Sequence, residues 1–190
     1  MNNSQQTSSN FRFGIKLFLL FLFIIYHKTI YISQTSNIIM EKIEKYKLLY
    51  EQVKALIQTE KDEIANMSNI AAIIHETFKF WWTGFYRVIN NELVLGPFQG
   101  PVACTRIAYG KGVCGTTWKE GKTIVVDDVH EFPGHIACSS ASKSEIVVPI
   151  FKDNQVVGVL DIDSENLATF DNIDKEWLER IIELAQPLIS

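Results

Sequence analysis

The sequence predicts an α+β fold: an antiparallel sheet with N- and C-terminal helices packed on one face and a loop-covered pocket on the other. Three observations lead there. Apolar residues recur three and four positions apart in two segments after Met40 and again near the C-terminus. Between these segments, β-rich runs are joined by tight turns at "NN" and "KDN". Two longer stretches rich in Gly, Pro and Ser interrupt the runs and are available to cover a pocket.

Each element follows from local pattern. Ile43, Tyr46, Leu49, Val53, Leu56 and Ile57 place an amphipathic helix over Glu41 to Thr59. A second helix around "NMSNIAAIIHETFKF" carries Met67, Ile70, Ala71, Ile74 and Phe78 on its stripe, with His75 at its edge. "WWTGFYRVI" then switches to aromatic and β-branched residues, and after Asn90 and Asn91 "ELVLGPF" returns to close a hairpin. A loop from Gly96 to Gly112 follows. "GKGVCGTTWKEGK" reads as a short helix between glycine breaks, "TIVVDD" as a strand, and Asp127 to Lys143 as a second loop. "SEIVVPIF" and "QVVGVLDID" form another hairpin. Asp171 caps a last helix built on Ile173, Trp177, Ile181, Leu184 and Leu188.

Residues 1–39 read as an N-terminal extension to a domain of residues 40–190. The first ten are polar and of low complexity, a composition that need not be structured. In "IKLFLLFLFIIYHKTIYI" the unbroken apolar core, Leu17 to Tyr26, is about half of the roughly 20 residues a bilayer span needs. Residues 15–32 reach that length only if Lys16 and Lys28 snorkel. Three readings stand side by side. The extension is absent from the working protein, because "MEKIEKYK" at Met40 reads as a natural start; or it is a membrane anchor; or it is a secretory signal without a small-residue cleavage site. It holds Arg12, Lys16 and Lys28 and no acid, which leaves 15 basic against 22 acidic residues in the body of the chain. A body so acidic argues against nucleic acid as a partner.

Strand geometry singles out the carboxylates. Asp161 and Asp163 are two apart on one strand and share a face. Glu145 opens the other arm of that hairpin. A three-residue loop, Asp153 to Gln155, sets Glu145 opposite Asp163. A two-residue turn at Asp153 and Asn154 sends Glu145 to the opposite face, unless a bulge at Pro149 restores the register. Clustered acids raise at least one pKa, which keeps a neutral carboxylic acid available near pH 7, and they attract an ammonium group. The bland alternative is three acids ending strands in solvent.

The cysteines, at 104, 114 and 138, include no Cys-x-x-Cys pair and are too few for a disulfide scaffold. Cys114, between Val113 and Gly115 at the start of a short helix, best fits a small buried hydrophobe, although a helix N-terminus also lowers a thiol pKa. Cys138 sits among small and polar residues with His135 before it and Lys143 after it, a reachable thiol. Cys104 lies in the other loop, and two loop cysteines can act as attacking and resolving thiols. A cysteine hydrolase using His130 or His135, and a zinc site from His130, His135 and Cys138, have the right residue types without the oxyanion hole or the ligand spacing. Along the aromatic run, period two puts Trp82 and Tyr86 on one face, able to line a pocket, with Trp81 and Phe85 on the other.

"WWTGFYRV", "LGPFQG", "ACTRI", "GKGVCGT", "VHEFPGHIAC", "SAS", "SEIVVPI" and "GVLDIDS" together resemble the free methionine-(R)-sulfoxide reductases, enzymes built on a GAF domain. The resemblance runs from about Met40 to the C-terminus. It implies an oxidoreductase that reduces the R-sulfoxide of free methionine, without metal or cofactor, is recycled by thioredoxin and works in the cytoplasm. By resemblance, Cys138 is the attacking thiol and Cys104 the resolving one; an order in which Cys114 attacks and Cys138 resolves is also conceivable. The matched substrate acids are Glu145, Asp161 and Asp163, with Glu145 or Asp163 as proton donor, and the matched aromatic residues are Trp82 and Tyr86. Ser139 and Trp118 depart from residues common in the family at those places. The competing reading is a GAF module that binds a small molecule and signals as a homodimer, tethered to a membrane if residues 15–32 are retained.

Overall fold

The computed structural model describes residues 3–134 and 140–188, with backbone alone for residues 3–25, 27, 29–31 and 188. The chain divides into two compact units, Met1–Glu44 and Lys45–Ser190. The first consists of helix α1 (Asn3–Ile57) up to Glu44. The helix therefore starts at Asn3 and not at Glu41, and the polar N-terminal stretch is helical from Asn3 on. Polar composition does not forbid a helix, and this run has no proline and a single glycine, Gly14, to break it. Among the described residues, no helix is long and apolar enough to cross a membrane.

In the second unit, the end of α1 is followed by α2 (Glu63–Phe78), whose N-cap Asp62 accepts a hydrogen bond from the Ala65 amide at 2.8 Å. The strands are β1 (Trp82–Ile89), β2 (Glu92–Gln99), β3 (Arg106–Ala108), β4 (Ile124–Val126), β5 (Ser144–Lys152) and β6 (Gln155–Ser164), with α3 (Gly112–Glu120) between β3 and β4 and α4 (Asn172–Ala185) after β6. They form one sheet in the order β3-β2-β1-β6-β5-β4, every pair antiparallel. β3 falls inside the stretch expected to be a loop from Gly96 to Gly112. A three-residue edge strand carries too short an alternation to be seen as a pattern, and it forms because Leu93 and Ile107 pair across the edge and are both buried.

Both hairpins turn through two residues with positive φ, Asn90 and Asn91 in the first, Asp153 and Asn154 in the second. Asn and Asp tolerate that left-handed geometry, and the turn matches the twist of the flanking strands. At the second turn Lys152 pairs with Gln155, the register that taken alone would send Glu145 to the wrong face. The pairing then shifts between Ile150 and Phe151, which face Gly158 and Val156, so that Val157 is the extra residue of a bulge and Glu145 falls opposite Asp163. The bulge lies on β6 and not at Pro149, whose ring stays within the regular ladder.

One sheet face, carrying Phe85, Ile146, Val148, Ile150, Leu160 and Ile162, is covered by Tyr46, Leu49, Val53 and Ile57 of α1, by α2 and by α4. Asp171 caps α4 in a reciprocal box with Asp174, and Asp174 Oδ1 also accepts a 2.8 Å hydrogen bond from the buried hydroxyl of Tyr46. Of the stripe expected on α4, Ile181 is buried, Ile173, Trp177 and Leu184 are only partly so, and Leu188 falls beyond the helix end at Ala185; Leu178, Ile182 and Ala185 are buried with Ile181. The opposite face carries Trp82, Tyr86, Val147 and Val159, covered by α3 and the loops. Gly115 lets α3 come close: a Cβ there would sit 2.5 Å from the Ala108 carbonyl oxygen.

Candidate active site

The register fixes a grid of side chains on this second face. Trp82 pairs with Asp163, and Asp163 with Glu145; Gly84 pairs with Asp161, and Asp161 with Val147. The three acids come together against the aromatic pair and line one cavity with Trp82, Tyr86 and Cys114. Trp81 lines it too, contrary to the alternation expected of "WW", because β1 begins at Trp82 and its period two does not extend back to Trp81. Gly84 is needed here. A Cβ at this position would sit 2.5 Å from Phe98 Cβ and collide with the Trp82 indole, which stacks on Phe98 at a centroid distance of 5.4 Å.

Trp82 and Tyr86 are also tied to the Cys104 loop. The Trp82 indole N–H donates to the Pro101 carbonyl at 3.0 Å, and the Tyr86 hydroxyl to the Cys104 carbonyl at 2.9 Å. Their polar ends thus hold the loop while their rings, 6.0 Å apart, face the cavity. Cys104 is disulfide-bonded. Cys138 and His135 lie outside the described residues, as does the expected meeting of Cys138 with Cys104.

Cys114 is buried, as expected of a small hydrophobe, yet it lines the cavity beside the acids. It is a free thiol in the first turn of α3, its Sγ 3.9 Å from Glu145 Oε1. Burial first, then the charges of Asp161 and Glu145, push its pKa well above the usual thiol value, against any lowering by the helix N-terminus. Burial likewise pushes Glu145 and Asp161 well up, with the charge of the neighbouring acids adding to it. Asp163 is pushed up only to about 6 by burial, because the hydrogen bond donated by the Ser142 hydroxyl favours its charged form. Asp161 Oδ1 is buried without a hydrogen-bond partner.

Ser142 was not singled out by the sequence, where it is one of four serines between Cys138 and Glu145; only its reach to Asp163 across the hairpin distinguishes it. Nor was Lys111, the N-cap of α3, which lines the cavity beside Gly112 and Val113 and supplies no side-chain cap. His130 is exposed, its Nδ1 2.9 Å from Asp128 Oδ1; the other two residues of the zinc-site reading, His135 and Cys138, lie outside the described residues. His75 has its pKa lowered by burial and by Lys79, and sits in α2 on the far side of the sheet.

Known proteins fit this picture. The model of the GAF domain matches residues 62–190. The GAF domain-containing protein A of Dictyostelium discoideum is 54% identical over 144 residues, 75% of this chain and 91% of that protein. The free methionine-R-sulfoxide reductase of Escherichia coli is 41% identical over 152 residues, 80% of this chain and 92% of the enzyme. The crystal structure of free methionine-R-sulfoxide reductase from Neisseria meningitidis in complex with its substrate superposes with a TM-score of 0.74 at 49% identity, covering 75% of this chain and 87% of that one. With a GAF fold and relatives this similar over nearly their whole length, the chain belongs to the free methionine-(R)-sulfoxide reductase family.

Proposed function

We propose that the protein reduces the R-sulfoxide of free methionine to methionine. The observation that carries this reading is the convergence of Glu145, Asp161 and Asp163 with Trp82 and Tyr86 in one cavity, in a chain 41% identical to an enzyme of that name. The cavity is complementary to an amino acid zwitterion. Asp163, ionised at pH 7, takes the α-ammonium, and the uncapped first turn of α3 with Lys111 takes the α-carboxylate. The rings of Trp82 and Tyr86 hold the S-methyl. A methionine within a peptide lacks both terminal charges, which accounts for selectivity toward the free form.

Chemistry follows from the protonation states. The Cys138 thiolate attacks the sulfoxide sulfur while Glu145, kept neutral by burial, protonates the sulfoxide oxygen. The oxygen passes from the substrate sulfur to the Cys138 sulfur, carrying the proton from Glu145, as the substrate sulfur–oxygen bond and the transient sulfur–sulfur bond break; methionine leaves reduced by two electrons and Cys138 becomes a sulfenic acid. Cys104 displaces that oxygen as water and closes a disulfide, which an external dithiol of the thioredoxin type reopens by exchange. Two observations support leaving Cys114 out of both roles: it is free while Cys104 is disulfide-bonded, and burial raises its pKa, which disfavours the nucleophilic thiolate.

Single-turnover chemistry of the cysteine variants tests it. Cys138→Ser should form no methionine from the reduced protein, whereas Cys104→Ser should form about one per chain, since attack needs only the first thiol. Loss of that first turnover in Cys114→Ser alone, with Cys138→Ser active, would reverse the order.

A further inference from the structure

Cys114 has no part in the steps above, yet its thiol is buried between two carboxyl groups. Its Sγ lies 3.9 Å from Glu145 Oε1, and the donor atoms of Cys114, Glu145 and Asp161 all lie within 4.8 Å of one another. Packing alone does not call for a thiol in this company. Asp161 is 6% exposed and leaves its Oδ1 unpartnered beside the cavity it lines, an acceptor waiting for a cation or a donor.

We propose that the reduced pocket is also a binding site for a thiophilic divalent cation of the zinc class, held by Cys114 Sγ and one oxygen each of Glu145 and Asp161. A tetrahedral zinc ion with a sulfur at about 2.3 Å and an oxygen at about 2.1 Å sets those two donors about 3.6 Å apart, close to the separation of Sγ and Oε1. Three protein ligands leave the fourth position to water in the cavity. The ligands stand on a helix and two paired strands, so little ordering is needed when the cation arrives. A thiolate selects against magnesium and calcium, and two carboxylates select against copper(I). The cation replaces the protons carried by the thiol and the carboxyl groups, which pass to solvent, and no electron moves. Resting on the reductase reading, one consequence follows: cation and amino acid compete for the same acids, so the metal holds the reduced enzyme inactive.

The test needs no turnover, so its failure is separate from any failure of the reductase reading. The full chain, reduced and kept anaerobic, is titrated with Co²⁺ as a spectroscopic probe and then with Zn²⁺. A thiolate-to-cobalt charge-transfer band should saturate at one equivalent and disappear when Zn²⁺ displaces the probe. Cys114→Ser should remove the band, Glu145→Gln and Asp161→Asn should each weaken binding about tenfold or more, and Cys104→Ser and Cys138→Ser should each keep it. A band that survives in Cys114→Ser, vanishes in Cys104→Ser or Cys138→Ser, or is absent from the unaltered protein overturns the proposal. Should Cys114→Ser fail to fold by circular dichroism, Asp161→Asn decides, and unchanged affinity there also overturns it.

Discussion

Replacing Asp163 by Asn should stabilise the protein at neutral pH while impairing its site. In the folded chain this carboxyl is pushed up from 3.8 to about 6 by burial. In the unfolded chain it ionises near its ordinary value. Between those two pH values the unfolded state has released a proton that the folded state retains, so stability falls as pH rises, by up to about 1.36 kcal/mol per pH unit for one proton. Integrated over about two pH units, the cost is roughly 3 kcal/mol, fully present above the folded pKa and absent below the unfolded one. Asn removes the titration and keeps an oxygen to accept the Ser142 hydrogen bond. The assay is urea unfolding of reduced protein and of Asp163→Asn at intervals from pH 4 to 7.5, both under the same reductant. The stability of the variant relative to the parent should rise by roughly 2–3 kcal/mol across that range, steepest near pH 5. Parallel curves, or a variant that loses ground as pH rises, would refute the claim that burial of this acid is opposed to folding.

The same acid sets a pH profile: kcat/KM should rise as Asp163 ionises near pH 6 to hold the substrate's ammonium, and that limb should vanish in Asp163→Asn, as a pH–rate series would show. Glu145→Gln keeps the shape of the acid but not its proton, and should lower kcat by about 10²-fold or more in steady-state kinetics. Gly84→Ala places a methyl group against the Trp82 indole and Phe98; unfolding should show a loss of roughly 1–3 kcal/mol, and Trp fluorescence should report the displaced ring. Tyr46→Phe strips buried Asp174 of one donor and should cost about 1–3 kcal/mol in the same unfolding assay.

Much of this was legible in the chain, because long-range order here is written in short-range pattern. The stripe on α2, the existence of α4 with its Asp171 cap and both hairpins follow from period and turn chemistry, and the face shared by Asp161 and Asp163 follows from the pleat alone. The position of Glu145 was undecidable in sequence. It depends on a one-residue bulge at Val157, in a run of valines where nothing marks which residue is extra. β3, only three residues long, and Trp81, just before the start of β1, were hidden for a related reason: alternation there has too few residues to show its phase. The contact of Cys114 with Glu145 was hidden because a residue at a helix start shows no distant partner in sequence. A thiol at the start of a short helix reads as packing until the fold sets Glu145 beside it. The N-terminal segment shows the reverse case: polar low complexity carries no periodic signal for a helix, yet the backbone is helical from Asn3.

The cavity proposed as the active site should handle one diastereomer of one free amino acid. Fully reduced protein, freed of external thiols, is mixed with a stoichiometric amount of free methionine (R)-sulfoxide, and released methionine and remaining thiols are counted together. About one methionine should form and two thiols be lost per chain, with the (S)-sulfoxide and a peptide-bound sulfoxide left untouched. Equal turnover of both epimers, or no methionine from either by folded protein, would contradict it.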